Sequence, residues 1–224
     1  MHRALSRGVV GLLAVVCVAV GATPAFADDA SEARELVEKA RLTIEKFTTD
    51  PAMTGFRDAV KRAKGVFISP QVLRGAFIVG VSGGSGVLLA RDPWGGPAFY
   101  SVGEASFGLQ AGGDAQEVVL LALTERGVTN LLSASTKLGG DASVAGGPVG
   151  ARVTAESAGL SADIVSFALS KGLFIGVSLE GAVVVNKAYY GAEVSPTDIL
   201  IRRRVKNPHA APLIEAVARV AGGK

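Results

Sequence analysis

One cysteine (Cys17) and two histidines (His2, His209) in 224 residues exclude an intramolecular disulfide framework and a multi-thiolate metal site. They also leave too few soft donors for a structural zinc site. Charged residues are sparse at 19%, against ~25% in an average soluble protein, so a charge-rich disordered chain is excluded. Ala, Glu, Lys and Leu do not dominate in a heptad, which excludes a long coiled coil. Glycine is abundant, 29 residues, nearly double the usual share of ~7%. It has no every-third-residue period, so collagen is excluded. No tandem period is evident. What remains is a Gly-rich, Val/Ile/Leu-rich globular chain in which strands are expected to dominate.

The N-terminus has the pattern of a secretory signal peptide. Arg3 and Arg7 precede an apolar run over residues 9–20, and Pro24 is followed by Ala25-Phe26-Ala27. Cleavage is expected before Asp28, with residues 1–27 as leader and 28–224 as one domain. The apolar run is shorter than the ~20 residues needed to span a bilayer. Cys17 follows Val16 rather than a small residue, so lipidation is not expected. Loss of Arg3 and Arg7 leaves 21 basic and 20 acidic residues, a net charge of +1. Bulk attraction to nucleic acid is not supported at that charge.

The mature chain falls into three zones. Residues 28–64 are helical in pattern. Asp29 and Glu32 can form a capping box, and Ala33, Leu36, Val37, Ala40, Ile44 and Phe47 form one apolar stripe. Asp50-Pro51 opens a second helix with the stripe Met53, Phe56, Ala59, Val60 and Ala63, ended by Gly65. Residues 65–194 predict short strands: 65–68 stopped by Pro70, 76–82 and 86–90 around a turn at Gly83-Gly84-Ser85, then 98–102, 106–111 and 117–123. A short helix over 124–132 with Thr124 as cap follows. Strand-like blocks at 141–145, 149–155, 164–169, 173–179 and 181–185 complete the zone. Residues 195–224 turn helical, from Ser195-Pro196-Thr197-Asp198 through the basic run Arg202-Arg203-Arg204-Val205-Lys206 to a terminal helix over 213–220. The expected fold class is α+β: a curved, mainly antiparallel, Gly-rich sheet, curled or barrel-like, with flanking N- and C-terminal helices.

Six segments occur in order: Ala63-Lys64-Gly65-Val66-Phe67-Ile68, Gly83-Gly84-Ser85-Gly86-Val87-Leu88-Leu89-Ala90-Arg91, Ser106-Phe107-Gly108-Leu109-Gln110, residues 139–150, residues 172–181 and Tyr189-Tyr190-Gly191. Their joint order and spacing resemble the lipid-binding SYLF domain family over roughly residues 36–200. The resemblance implies an α+β domain that binds phosphoinositides or other anionic lipids. It also implies an actin and membrane-traffic role in eukaryotic members. That role is not carried over to an exported chain with no appended peptide-binding or zinc domain.

Candidate lipid-binding residues are cationic. Arg57, Lys61 and Lys64 lie at i, i+4 and i+7, with Arg62 to the side. Arg202, Arg203, Arg204 and Lys206 form a second cluster. Each cation contributes about 1 kcal/mol at an anionic surface, and a solvated helix face or helix C-terminus is the plain alternative. Trp94, in the loop Asp92-Pro93-Trp94-Gly95-Gly96-Pro97, either inserts at a membrane interface or folds back on the sheet. The first helix carries Glu35, Glu38 and Glu45 beside Arg34, Lys39, Arg41 and Lys46. That balance favours packing on the sheet over lying in a membrane.

Catalytic and metal sites have thin support. Gly80-Val81-Ser82-Gly83-Gly84 fits the nucleophile elbow G-x-S-x-G. A strand rather than a helix is expected after Ser82, and His209 would have to be the base, so a hairpin turn is the better account. The phosphate-loop pattern Gly-Lys-Ser/Thr is absent. Asp114, Asp141, Asp163 and Glu180 offer oxygens for calcium without EF-hand spacing. Whether Glu104, Glu180 and Asp141 pair as acid and base is open. The sequence therefore predicts a non-catalytic exported protein without a cofactor, associating peripherally with anionic phospholipid or a membrane surface. An envelope structural or protein-interaction module, with an envelope protein as partner, is the alternative.

Overall fold

The structure, a computed structural model, describes residues 26–76, 79–91, 93–107, 112–133, 135–141, 143–147, 162–170, 173–176, 183–187, 189–190 and 194–223. Residues 1–25 of the expected leader, the expected strand 149–155 and Glu180 lie outside them, as does the side chain of Glu104.

Helix α1 (Phe26–Thr49) begins upstream of the capping box expected at Asp29, because Phe26, Ala27 and Asp28 contain no helix breaker. Its stripe is buried as expected, with Ala40 and Phe47 at 0% exposure. On the opposite face Arg41 pairs with Glu38 at 2.6 Å and Glu45 at 2.5 Å, and Lys39 pairs with Glu35 at 2.6 Å. A 3-10 turn (Pro51–Met53) follows, capped by the Asp50 carboxylate, which accepts from Ala52 N at 2.7 Å. It leads into α2 (Thr54–Arg62), whose Phe56, Ala59 and Val60 are buried.

The strands are longer than the local pattern suggests. β1 (Gly65–Ala76) continues through Pro70, and β2 (Val79–Ala90) runs unbroken through Gly83-Gly84-Ser85. Pro70 is absorbed by a bulge, seen as a register shift between Ile68 and Gln71 against β2; a bulge is where a strand tolerates proline. The glycines are not a turn. A Cβ at Gly86 would lie 2.7 Å from the Ile68 carbonyl oxygen and would strike the Phe67 ring, so glycine lets that aromatic cross the neighbouring strand. β3 (Gly95–Phe107) and β4 (Gly112–Ala122) likewise unite blocks expected to be separate or shorter.

Helix α3 (Glu125–Leu132) is capped by Thr124, as its sequence predicts. The short strands β5 (Ser135–Lys137) and β6 (Val144–Gly146) follow, then β7 (Ile164–Ser170), β8 (Leu173–Gly176) and β9 (Val183–Lys187). Helices α4 (Pro196–Leu200) and α5 (Ala211–Ala221) close the chain. The fold is α+β, as expected. Among the described residues nine strands form one sheet in the order β5-β9-β3-β2-β1-β4-β7-β6, with β8 paired to β7. Among the described residues only the β6–β7 pair is parallel. The sheet curls into a half-barrel.

Alternation with period two buries both faces. Val66, Ile68, Val87, Leu89, Val119, Leu121 and Phe167 meet α1, α2 and α5. Phe67, Leu88, Tyr100, Leu120, Ile164 and Ala168 pack on the other face, with residues of α3 and α4. Asp163 ties the elements after β4 together. Its carboxylate accepts from Thr124 Oγ1 at 2.7 Å and Ser143 Oγ at 2.8 Å. Those bonds hold its pKa below the ordinary carboxylate value.

Candidate functional site: a basic groove beside helix α2

The end of α2 meets the start of the β2–β3 loop. Ala63 leaves the helical conformation with ψ 137, and Lys64 N donates to Ala122 O at 2.8 Å. Arg91, at the end of β2, donates from Nη1 to the Lys61 carbonyl at 2.7 Å, capping α2, and its backbone N donates to Lys64 O at 2.9 Å. Its guanidinium carbon lies 5.8 Å from the centroid of the Trp94 ring. Across this loop Arg203 donates from Nη2 to the Pro93 carbonyl. The result is a groove of about 600 Å³ lined by Lys61, Arg62, Lys64, Arg91 and Arg203, with Glu125 as its acid and Leu200, Val128, Ala90 and Ile201 as apolar lining. Ile201 is 54% exposed and presents an aliphatic side chain at the edge of the groove. Lys64 pairs with Glu125 at 2.5 Å, and Lys61 with Asp58 at 2.9 Å. These pairs are exposed and weak in water, so the lysines stay available to a stronger anion.

The two cationic clusters are thus brought together in part. Lys61, Lys64 and Arg203 share the groove. Arg57 does not, since its Nη1 donates to Thr48 O at 3.1 Å and Asp50 O at 2.7 Å, satisfying carbonyls at the end of α1. Arg57 and Lys61 do share a face of α2, where both line a separate groove of about 500 Å³ with Arg219; Lys64 leaves that line because the helix ends at Arg62. Arg202 and Arg204 turn to Asp198, at 3.1 and 3.3 Å, and Lys206 is exposed outside the groove lining. Trp94 is half-buried against the helix-side core, the folded-back alternative. Arg62 and Arg91 emerge as groove residues. Arg91 carried no signal in the sequence, because only strand pairing sets the end of β2 beside α2.

A larger groove of about 740 Å³ runs between α1 and strands β1, β4 and β7. Its cations Lys39 and Lys46 are matched by Glu35 and Glu117, so it offers no net charge to an anion.

Asp198 anchors the basic run. Its carboxylate accepts from Ser195 Oγ at 2.6 Å in a capping box, and from Arg202 Nη1 at 3.1 Å. The Ser195 bond first, then Arg202 and Arg204, depress its pKa from 3.8 to about 2. A depressed carboxylate stabilises fully above its unfolded value and loses that contribution as pH falls through the folded one. Acidification from pH 3.8 towards about 2 is therefore expected to loosen α4 and the arginine run. Carboxyl NMR titration and pH-dependent melting check this: Asp198→Asn should remove the step, and an Asp198 carboxyl titrating near its ordinary value contradicts it.

Ser82 lies inside β2 and pairs in register with strands on both sides, so neither the elbow nor the hairpin turn forms there. His209 sits in the segment between α4 and α5, its backbone N donating to Asn207 Oδ1 at 2.9 Å. Among the described residues no three His, Cys, Asp or Glu side chains come together in a way that could hold a metal ion. Among the same residues no helix is long and apolar enough to cross a membrane.

A family model described as "Ysc84: Las17-binding protein actin regulator" matches residues 103–220, more than half of the chain. The chain belongs to the Ysc84 family. The SYLF likeness carried by its six segments is this relationship. Protein YSC84 of Saccharomyces cerevisiae is 34% identical over 169 residues, 69% of this chain and 36% of that protein. LAS seventeen-binding protein 3 of the same yeast is 33% identical over 172 residues, 71% of this chain and 37% of that one. The SH3 domain-containing YSC84-like protein 1 of Bos taurus is 30% identical over 168 residues, 70% and 49%. This Ysc84-family chain spans between about a third and a half of the length of these relatives. No solved structure matches it. The family description names a binding and regulatory protein rather than an enzyme.

Proposed function

We propose that this Ysc84-family protein binds anionic phospholipid head groups peripherally, through the groove at the end of α2. The carrying observation is the convergence of Lys61, Arg62, Lys64, Arg91 and Arg203 on one groove in a chain whose mature net charge is close to zero. Cations concentrated at one place attract a phosphate surface even where the whole molecule does not. The exposed Ile201 beside them suits the boundary between head groups and acyl chains. Other described cations are engaged elsewhere: Lys39 and Arg41 pair with carboxylates of α1, Lys46 pairs with Glu117, and Arg57 holds carbonyls at the end of α1. Vesicle flotation tests this. Binding is expected to vesicles of phosphatidylcholine with phosphatidylserine, to weaken at raised salt, and to vanish with phosphatidylcholine alone. Equal absence of binding in all arms removes the proposal.

The same reading includes export. Arg3, Arg7, the apolar run over residues 9–20 and Ala25-Phe26-Ala27 support a leader cleaved before Asp28 and delivery to the periplasm or the exterior. Intact mass of the protein from its native host is expected to start at Asp28; a mass that retains residues 1–27 contradicts it.

The Las17-binding description of the family favours a second reading, a protein-interaction module. Absence of vesicle binding together with a saturable, stoichiometric complex with an envelope protein would transfer the function to it.

A further inference from the structure

Arg203 has φ 53, the positive-φ residue other than glycine among the described residues. Side-chain-bearing residues avoid that region, and those found there are held by their surroundings. Here both flanks are fixed to one neighbour. Arg202 and Arg204 both reach the Asp198 carboxylate, and Arg204 N donates to the Asp198 carbonyl at 2.9 Å. Three consecutive arginines therefore diverge. Two turn back to Asp198, and the middle one crosses to the Pro93 carbonyl and the basic groove.

Its guanidinium lies over Gly95. A Cβ there would come within 2.9 Å of Arg203 Nη1 and 3.3 Å of Cζ. Gly95 is not needed for its backbone, since its φ is not in the left-handed region. The missing side chain is what gives the guanidinium its seat. Among the described residues the Pro93 carbonyl takes one donor of a five-donor fork, and the side chain remains exposed.

We infer that Arg203 is a pre-positioned phosphate ligand of the groove, with Asp198 as its positioning residue and Gly95 as the seat that fixes its guanidinium. This rests on the head-group reading of that groove. A free surface arginine loses rotamer freedom when it binds phosphate, whereas one already held in place loses less. The strained backbone at Arg203 is thus tied to ligand capture, since stability alone would be better served by glycine at this position.

Three variants separate position from charge, in flotation with phosphatidylcholine–phosphatidylserine vesicles and in thermal melting. Gly95→Ala leaves net charge unchanged and displaces only the far end of the Arg203 side chain. Vesicle affinity is expected to fall about five-fold, one cation's worth, with Tm unchanged. Arg203→Gly relieves the backbone and removes the ligand, so affinity falls by the same factor while Tm holds or rises. Asp198→Glu keeps the charge and displaces the carboxylate that anchors the arginine run; it is expected to weaken binding in the native background and to add nothing to Arg203→Gly, although Tm falls in both. Native-like affinity of Arg203→Gly overturns the ligand role. Native-like affinity of Gly95→Ala, with Arg203→Gly weakened, overturns the seat. An equal further loss on adding Asp198→Glu to Arg203→Gly overturns its positioning role. Failure of the wild-type protein to float overturns the head-group reading itself, and this inference with it.

Discussion

Replacing Lys61, Arg62 and Lys64 together by alanine is expected to weaken binding to anionic vesicles on the order of 100-fold, from about 1 kcal/mol per cation near the surface. The three come from the last turn of α2 and the residues just after it, and all line one groove. Their truncation also leaves Asp58 and Glu125 without Lys61 and Lys64, their partners at 2.9 and 2.5 Å, which adds repulsion. The fold should survive, because none of the three is buried. A control that removes the exposed Arg34, Lys39 and Lys137 changes net charge equally and lies off the groove. Its affinity is expected to drop by far less. Equal losses in the two triple variants would show that total charge, not the groove, drives binding, and sink the assignment.

The largest expected effect on stability is at Phe56. Phe56→Ala is expected to destabilise the protein by about 3–5 kcal/mol, the usual range for a buried phenylalanine. Phe56 is fully buried. Its ring lies 5.4 Å from that of Phe47 on α1 and 5.2 Å, edge-on at 88°, from that of Phe167 on β7. One side chain thus joins two helices to the sheet, and its loss opens a cavity that rigid strands cannot close. Against a total stability of about 5–15 kcal/mol, the urea midpoint should move far down at unchanged slope. A loss below about 1 kcal/mol would mean that α2 is not docked as described. Since α2 ends at the groove, vesicle binding by this variant should fall in step with its unfolded fraction, unlike the charge variants.

The helices were legible because their information is local. The stripes of α1 and α2, the Thr124 cap and the helix start at Ser195-Pro196-Thr197-Asp198 are each set by residues close together in the chain, and the structure has each of them. Strand ends were not legible. Pro70 and Gly83-Gly84-Ser85 are breakers in isolation, yet β1 and β2 continue through them. A bulge accepts the proline, and a Cβ at Gly84 would strike the Gln71 carbonyl oxygen of β1 beside that bulge, so glycine there serves strand contact rather than a turn. The same limit applied to the cations. Arg57 and Lys61 share a spacing, but only the turn after α1 decides that Arg57 is consumed by its carbonyls.

Composition, apolar periodicity and ordered segments by themselves determined an α+β, Gly-rich member of this family with helices at both ends. Those features depend on the chemistry of neighbouring residues and on which face of an element is apolar. Tertiary structure alone decided which charges meet. The Lys61–Lys64 stretch, Arg91 and Arg203 are separated by long stretches of chain, and cross-strand pairing and one left-handed arginine bring them to the same groove. Side chains so distant in sequence leave no local pattern, because their proximity is fixed by the pairing of strands and not by the spacing of residues.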